Sequence, residues 1–174
     1  DTVEDTHLTI EDIQREFGNE IAKIVDGLTK ISNVIDVNGS QQAENFRKLL
    51  VAISSDIRVL LVKLADRVHN MRTLEHVKFE TRKRISEETL DIYAPLAARM
   101  GMEKMREELE DHAFRWLHPD AYAAVTAKLA ELRKSNEGLV EEIRAALAAK
   151  LAEVGIDAEV SGREKKAYAI WRKM

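Results

Sequence analysis

The chain has 174 residues, of which 45% are apolar and 33% charged, with two prolines, seven glycines, no cysteine and a net charge of −4. This composition describes a mostly helical globular chain and excludes a disulfide framework, a thiolate metal site and bulk attraction to nucleic acid. No apolar run approaches the ~20 residues that span a bilayer, and the first residues have no signal-peptide pattern, so a cytoplasmic location is expected.

Taken in chain order, Thr9 with Asp12 three residues later has the form of a capping box. Ile10, Ile13, Phe17, Ile21, Ile24, Val25 and Leu28 follow at helical spacing, which predicts an amphipathic helix ending near Gly27. Residues 29–41 hold Ser32, Asn33, Asn38, Gly39 and Ser40 and predict a loop. A second helix is predicted over 42–53, and Ser54, Ser55 and Asp56 offer N-caps for a third.

The third helix, predicted over 56–74, carries an apolar stripe of Ile57, Leu60, Leu61, Leu64, Val68 and Met71. Val59, Val62, Asp66, Asn70 and Thr73 fall on the opposite side, so both faces are expected to be buried, with the polar trio at the edge of a pocket. A buried carboxylate without a partner is costly, and a metal ion or cation is the usual resolution.

Beyond it, 86–100 predicts a helix with Gly101 at its end and a kink at Pro95, and 102–116 predicts another, closed by His118 and Pro119. Two Ala- and Leu-rich helices are predicted over 119–133 and 136–153, with Gly155 after the second. Ile156 to Val160 then alternate apolar and polar residues and predict the first strand. The expected fold is therefore mainly α, with linking helices leading into the first strand of an α/β unit.

Asp1, Glu4 and Asp5 place three carboxylates within one helical turn, and Asp66 could close a site from another helix. Phosphate-ester hydrolysis near neutral pH needs a metal to generate a nucleophilic water and a carboxylate to move protons. The same acids would also suit the start of a helix dipole facing solvent. At the far end Gly162, Arg163, Lys165, Tyr168, Ile170, Lys173 and Met174 form a glycine-led cationic string. Arg163 and Lys165 offer phosphates a planar fork and a point charge.

The opening acids resemble the second half of the His-Asp-x-x-Glu-Asp motif of HD-type phosphohydrolases. More specifically, 42–48, the run from Asp66 to Leu74, Tyr93 to Ala97 and the C-terminal string are similar to the RelA/SpoT family of bifunctional (p)ppGpp synthetase/hydrolases. The resemblance implies a helical HD-type hydrolase over 1–85, linking helices over 86–117 and the leading part of a synthetase domain over 118–174. It implies removal of the 3′-pyrophosphate of (p)ppGpp with Mn²⁺, in a protein that also transfers pyrophosphate from ATP to GDP or GTP during the stringent response.

By the same resemblance Asp1 and Asp66 are metal ligands, Glu4 and Asp5 the catalytic acids that orient and deprotonate water, and Asn70 and Thr73 the nucleotide-holding pair. Arg163 and Lys165 correspond to synthetase residues that contact ATP, whereas the acids for Mg²⁺ are not in the chain, and Ala169 stands where the family commonly has Ser. Two family histidines belong upstream of Asp1, and His7, His69, His76, His112 and His118 match neither. The chain thus reads as an excerpt from a larger protein, with ribosomal or regulatory partners reached through other domains and no direct contact to nucleic acid or membrane. Two rivals are an HD phosphohydrolase for another nucleotide and a regulatory helical module with a vestigial site. The segment 100–106 and the paired helices after it, lying between the two motif regions, are expected to transmit the state of one site to the other.

Overall fold

The computed structural model describes residues 3, 6–35, 56–136 and 138–174, with the backbone alone at 31–35. Its helices are α1 Ile10–Phe17, α2 Asn19–Ile35, α3 Ile57–Arg72, α4 Phe79–Glu88, α5 Ala94–Arg99, α6 Glu103–Leu117, α7 Pro119–Ser135, α8 Leu139–Glu153 and α9 Ala167–Trp171. A 3₁₀ turn at Leu74–His76 follows α3, and a π-helical turn at Thr89–Tyr93 joins α4 to α5. The fold is mainly helical, as expected. No helix among the described residues is long and apolar enough to cross a membrane.

The capping box forms: the Asp12 amide donates to Thr9 Oγ1 at 3.3 Å and the Thr9 amide to Asp12 Oδ2 at 3.0 Å. The predicted continuous helix then breaks at Gly18, whose φ of 83° is open to glycine at no steric cost, and whose amide closes α1 on the Gln14 carbonyl. Gly27, predicted as a helix end, instead lies inside α2. A Cβ there would stand 2.8 Å from Val59 Cγ2, so the absent side chain is what lets α2 lie close against α3. Helix continues over 29–35, where composition predicts loop, because α2 is held by packing on α1 and α3 rather than by its local propensities. The rest of that loop and the predicted helix over 42–53 lie outside the described residues.

Replacing Gly27 by Ala gains about 1 kcal/mol of helix propensity but forces a methyl onto Val59, which is stiff at χ1 and enclosed. Overpacking of this kind costs about 1–3 kcal/mol, so a net loss of about 1 kcal/mol is expected in urea denaturation. An unchanged or higher midpoint would show that Val59 yields.

The third helix is the centre of the core. Asp56 caps it, accepting from the Arg58 amide at 2.9 Å, and Leu60, Leu64, Val68 and Met71 are buried along one stripe. They pack with Ile92, Tyr93, Leu96 and Ala97 from the π turn and α5, and with Leu109 and Ala113 from α6. Each such side chain contributes about 1.5–3 kcal/mol by leaving water.

Between Phe79 and Arg99 the structure departs from the predicted kinked helix in two ways. Helix begins at Phe79 rather than Ser86, and the ladder widens before Pro95 instead of kinking: the Ala94 amide reaches back five residues to the Thr89 carbonyl. Pro95 has no amide to donate, and its ring would clash with the carbonyl four residues back in an unbroken α-helix. One π turn relieves both problems. The helix then ends at Arg99, capped by Met100, and the chain turns away at Gly101, whose φ is 70°.

The strand predicted at Ile156–Val160 is not formed; 156–166 have no regular secondary structure, and no strand occurs among the described residues. A strand exists only by pairing, and alternation alone supplies no partner. The chain returns to the body through α9, where Trp171 stacks on Phe114 at 4.8 Å between centroids and the Tyr168 amide donates to Asp111 Oδ1 at 3.4 Å.

Candidate active site

One cavity of about 330 Å³ lies beside α3, and its wall includes Asp66, Asn70 and Thr73, the row predicted on the second face of that helix. Successive steps of four and three residues bring the three to one side. Asn70 Nδ2 donates to Asp66 Oδ2 at 3.3 Å, a long contact that leaves Oδ1 available, and the Thr73 hydroxyl lies 3.2 Å from the His69 carbonyl.

The expectation that both faces of α3 are buried is corrected. Val59 is enclosed, but Val62 is 45% exposed, and Asp66, Asn70 and Thr73 are exposed at the rim. The cleft opens to water, so desolvation does not by itself demand a cation beside Asp66. What remains is donor chemistry: a carboxylate oxygen on a cavity wall is a fitting ligand for a hard divalent ion. The described residues contain no group of three His, Asp or Glu placed around one point, and Asp1, Glu4 and Asp5 lie outside them.

Charge in the cleft favours an anionic ligand. Lys63, Arg67 and Arg84 line it against Asp66 and Glu88. Arg67 is committed: it donates to Glu88 Oε2 at 3.1 Å, with both side chains largely enclosed, and its guanidinium lies 4.0 Å over the Tyr93 ring. Burial works against the Arg67 charge, but Tyr93 and Glu88 more than offset it and raise its pKa. Burial likewise pushes the Tyr93 phenol up. Among the described residues that line the cleft, three cations, Lys63, Arg67 and Arg84, stand against two carboxylates, Asp66 and Glu88, an arrangement suited to phosphate oxygens.

Sequence reasoning missed Arg84, Glu88 and Tyr93. They arrive from α4 and the π turn, and no periodicity in α3 points to them. Arg67 could have been noticed beside Asp66, but its pairing depends on a residue 21 positions away. Replacing Glu88 by Gln keeps an acceptor but removes the counter-charge, which should cost about 2 kcal/mol, the scale of a hydrogen bond to a charged group. Thermal unfolding would show it; an unchanged midpoint would mean that Arg67 is solvated.

Arg163 and Lys165 are not brought to this cleft. Arg163 is ion-paired with Glu107 on α6, and its neighbour Glu164 is held by Arg133 through two bonds of 2.6 and 2.7 Å. Lys165 lines a separate cavity of about 310 Å³ with Asp111, Tyr122 and Lys166, and its pKa is lowered by the adjacent Lys173 ammonium. Alpha6 also reaches the first site's helix, since Arg72 on α3 bonds Glu108 at 2.5 Å. Adjacent acids on one helix thus hold an arginine from each region.

Residues 1–103 match the sequence-family model described as HD domain. Across its whole length the chain is 55% identical to the GTP pyrophosphokinase rsh of Brucella ovis, covering 23% of that protein. It is 46% identical to the guanosine-3′,5′-bis(diphosphate) 3′-pyrophosphohydrolase of Haemophilus influenzae, again over the whole chain and 26% of the relative. A probable enzyme of the same name from Synechocystis is 44% identical over the whole chain and 23% of its own length. The chain thus spans about a quarter of the relatives it matches.

Proposed function

Because the chain belongs to the HD-domain family and, within it, to the RelA/SpoT family, we propose that its Asp66 cleft hydrolyses the 3′-pyrophosphate of (p)ppGpp. The observation that carries this reading is the Asp66, Asn70 and Thr73 row on one cavity wall, with Lys63 and Arg84 beside it. Asp1 and Asp66 hold Mn²⁺, which when bound lowers the pKa of a water and offsets phosphate charge. Glu4 and Asp5 orient the attacking water and take its proton. The Asn70 amide and Thr73 hydroxyl hold the nucleotide, and Lys63 and Arg84 neutralise its phosphates.

The whole protein also synthesises (p)ppGpp by pyrophosphate transfer from ATP to GDP or GTP with Mg²⁺, acting in the cytoplasm in the stringent response. In this assignment 1–85 belong to the hydrolase, 86–117 link, and 118–174 begin the synthetase. Arg163 and Lys165 meet the ATP phosphates, which must take Arg163 from Glu107. The names of the relatives, one a pyrophosphokinase and another a pyrophosphohydrolase, support the pairing of activities.

Asn70 tests the binding role. In the protein extended upstream of Asp1, Asn70→Ala is expected to raise KM for ppGpp about tenfold, the worth of one hydrogen bond to a charged ligand, with kcat little changed. Loss of kcat at constant KM would place Asn70 in the chemical step instead.

A further inference from the structure

A third cavity, of about 310 Å³, lies where α4, α6 and the start of α7 meet; Phe79, Arg82, Arg115, Trp116, Pro119 and Tyr122 line it, none lines the Asp66 cleft, and Tyr122 alone also lines the Lys165 cavity. Its chemistry is one-sided. Two arginines line it and, among the described residues, no acid does. The Arg82 guanidinium lies 4.3 Å and that of Arg115 5.3 Å from the Trp116 ring centroid.

Two buried donors here have no acceptor among the described residues: Arg82 Nε and Trp116 Nε1. Arg82 Nη2 is already spent on the Glu75 and Val77 carbonyls, at 3.1 and 2.9 Å. Arg115, by contrast, has no ion pair or hydrogen bond among the described residues. Unmatched buried donors are costly, and a cluster of them with uncompensated positive charge calls for an acceptor. The remaining wall is apolar, and Phe79, 66% exposed at the rim, is a large aromatic ring left in water.

We propose that this cavity is a further ligand site, which takes an oxyanion carried on a flat aromatic body, the chemistry of a nucleoside monophosphate. The oxyanion meets the exposed Arg115 guanidinium beside Trp116, and the ring packs on Phe79, Pro119 and Tyr122. This site is independent of the hydrolase reading, since the two cavities share no residue.

The chain has two tryptophans, so a ¹⁵N-labelled sample shows two indole N–H signals, and Trp116→Phe identifies which is which. Titration with GMP should move the Trp116 signal saturably, while guanosine and inorganic phosphate, each offering half of the chemistry, move it at least tenfold more weakly. Arg115→Glu, a change at an exposed position, should abolish the shift, and Asp66→Asn should leave it intact. No saturable shift with GMP, or one equal in Arg115→Glu, would overturn the proposal. Loss of the shift in Asp66→Asn would assign the binding to the first cleft and overturn it as well. Equal response to inorganic phosphate alone would reduce the site to an adventitious anion contact.

Discussion

Asp66→Asn, made in the protein extended upstream of Asp1, should lower ppGpp hydrolysis by on the order of 10³-fold, about 4 kcal/mol of barrier, while the protein stays folded. The two halves of that expectation have separate causes. Asp66 is exposed at the cavity rim and makes one long contact, from Asn70, so the fold asks little of its charge. Substitutions at such positions change stability by within about 0.5 kcal/mol. The proposed metal site asks much more, because an amide keeps the shape of the carboxylate but is a poor ligand for a hard cation. Steady-state hydrolysis with Mn²⁺ beside a melting curve separates the two. A folded variant with near-normal rates would remove Asp66 from the metal site.

Phe114→Ala should cost about 3–5 kcal/mol, the range for deleting a buried aromatic ring, and lower the melting temperature by about 10 °C for a chain of this size. The Phe114 side chain is fully buried where α6, α7 and α9 meet. It touches His118, Tyr122, Tyr168 and Trp171, with centroids 4.8–6.0 Å apart. The same change should free α9, because only the Tyr168 amide to Asp111 and a few side chains would still tie it down. A red shift of Trp171 emission below the melting transition would report that release. A loss under about 1 kcal/mol would mean that the surrounding rings close over the gap.

Local chemistry made much of this fold legible. Thr9 with Asp12, Asp56 before α3, Gly101 and Pro119 each act within one turn of the backbone, and each marks the boundary it predicts. The misreadings have long-range causes. Gly27 looks like a stop signal to a local reader, and only the approach of Val59 from another helix shows why a glycine sits mid-helix. Alternation from Ile156 to Val160 describes a segment ready to pair, but whether it becomes a strand depends on a partner the segment does not contain. Pro95 marks trouble in a helix without saying that a π turn, rather than a kink, resolves it.

The site divides along the same line. Asp66, Asn70 and Thr73 share one helix, so their common side follows from spacing, and the structure places all three on one cavity. Their burial does not follow, because the valines that suggested it differ: Val59 meets α2 while Val62 faces out. Arg67, Glu88 and Tyr93 form a buried cluster through contacts 21 or more positions apart, beyond any periodic pattern. The glycine-led string offers Arg163 to phosphates, and the structure engages its guanidinium with Glu107. An ion pair of that kind depends on how the chain folds back on α6, which no motif records.

The most direct test of the hydrolase reading identifies the products formed from ppGpp by the protein extended upstream of Asp1, with Mn²⁺ and again after chelation. Equal amounts of pyrophosphate and GDP, formed only with the metal present, are the predicted result. Orthophosphate as the product, or no turnover by folded protein supplied with Mn²⁺, would contradict it.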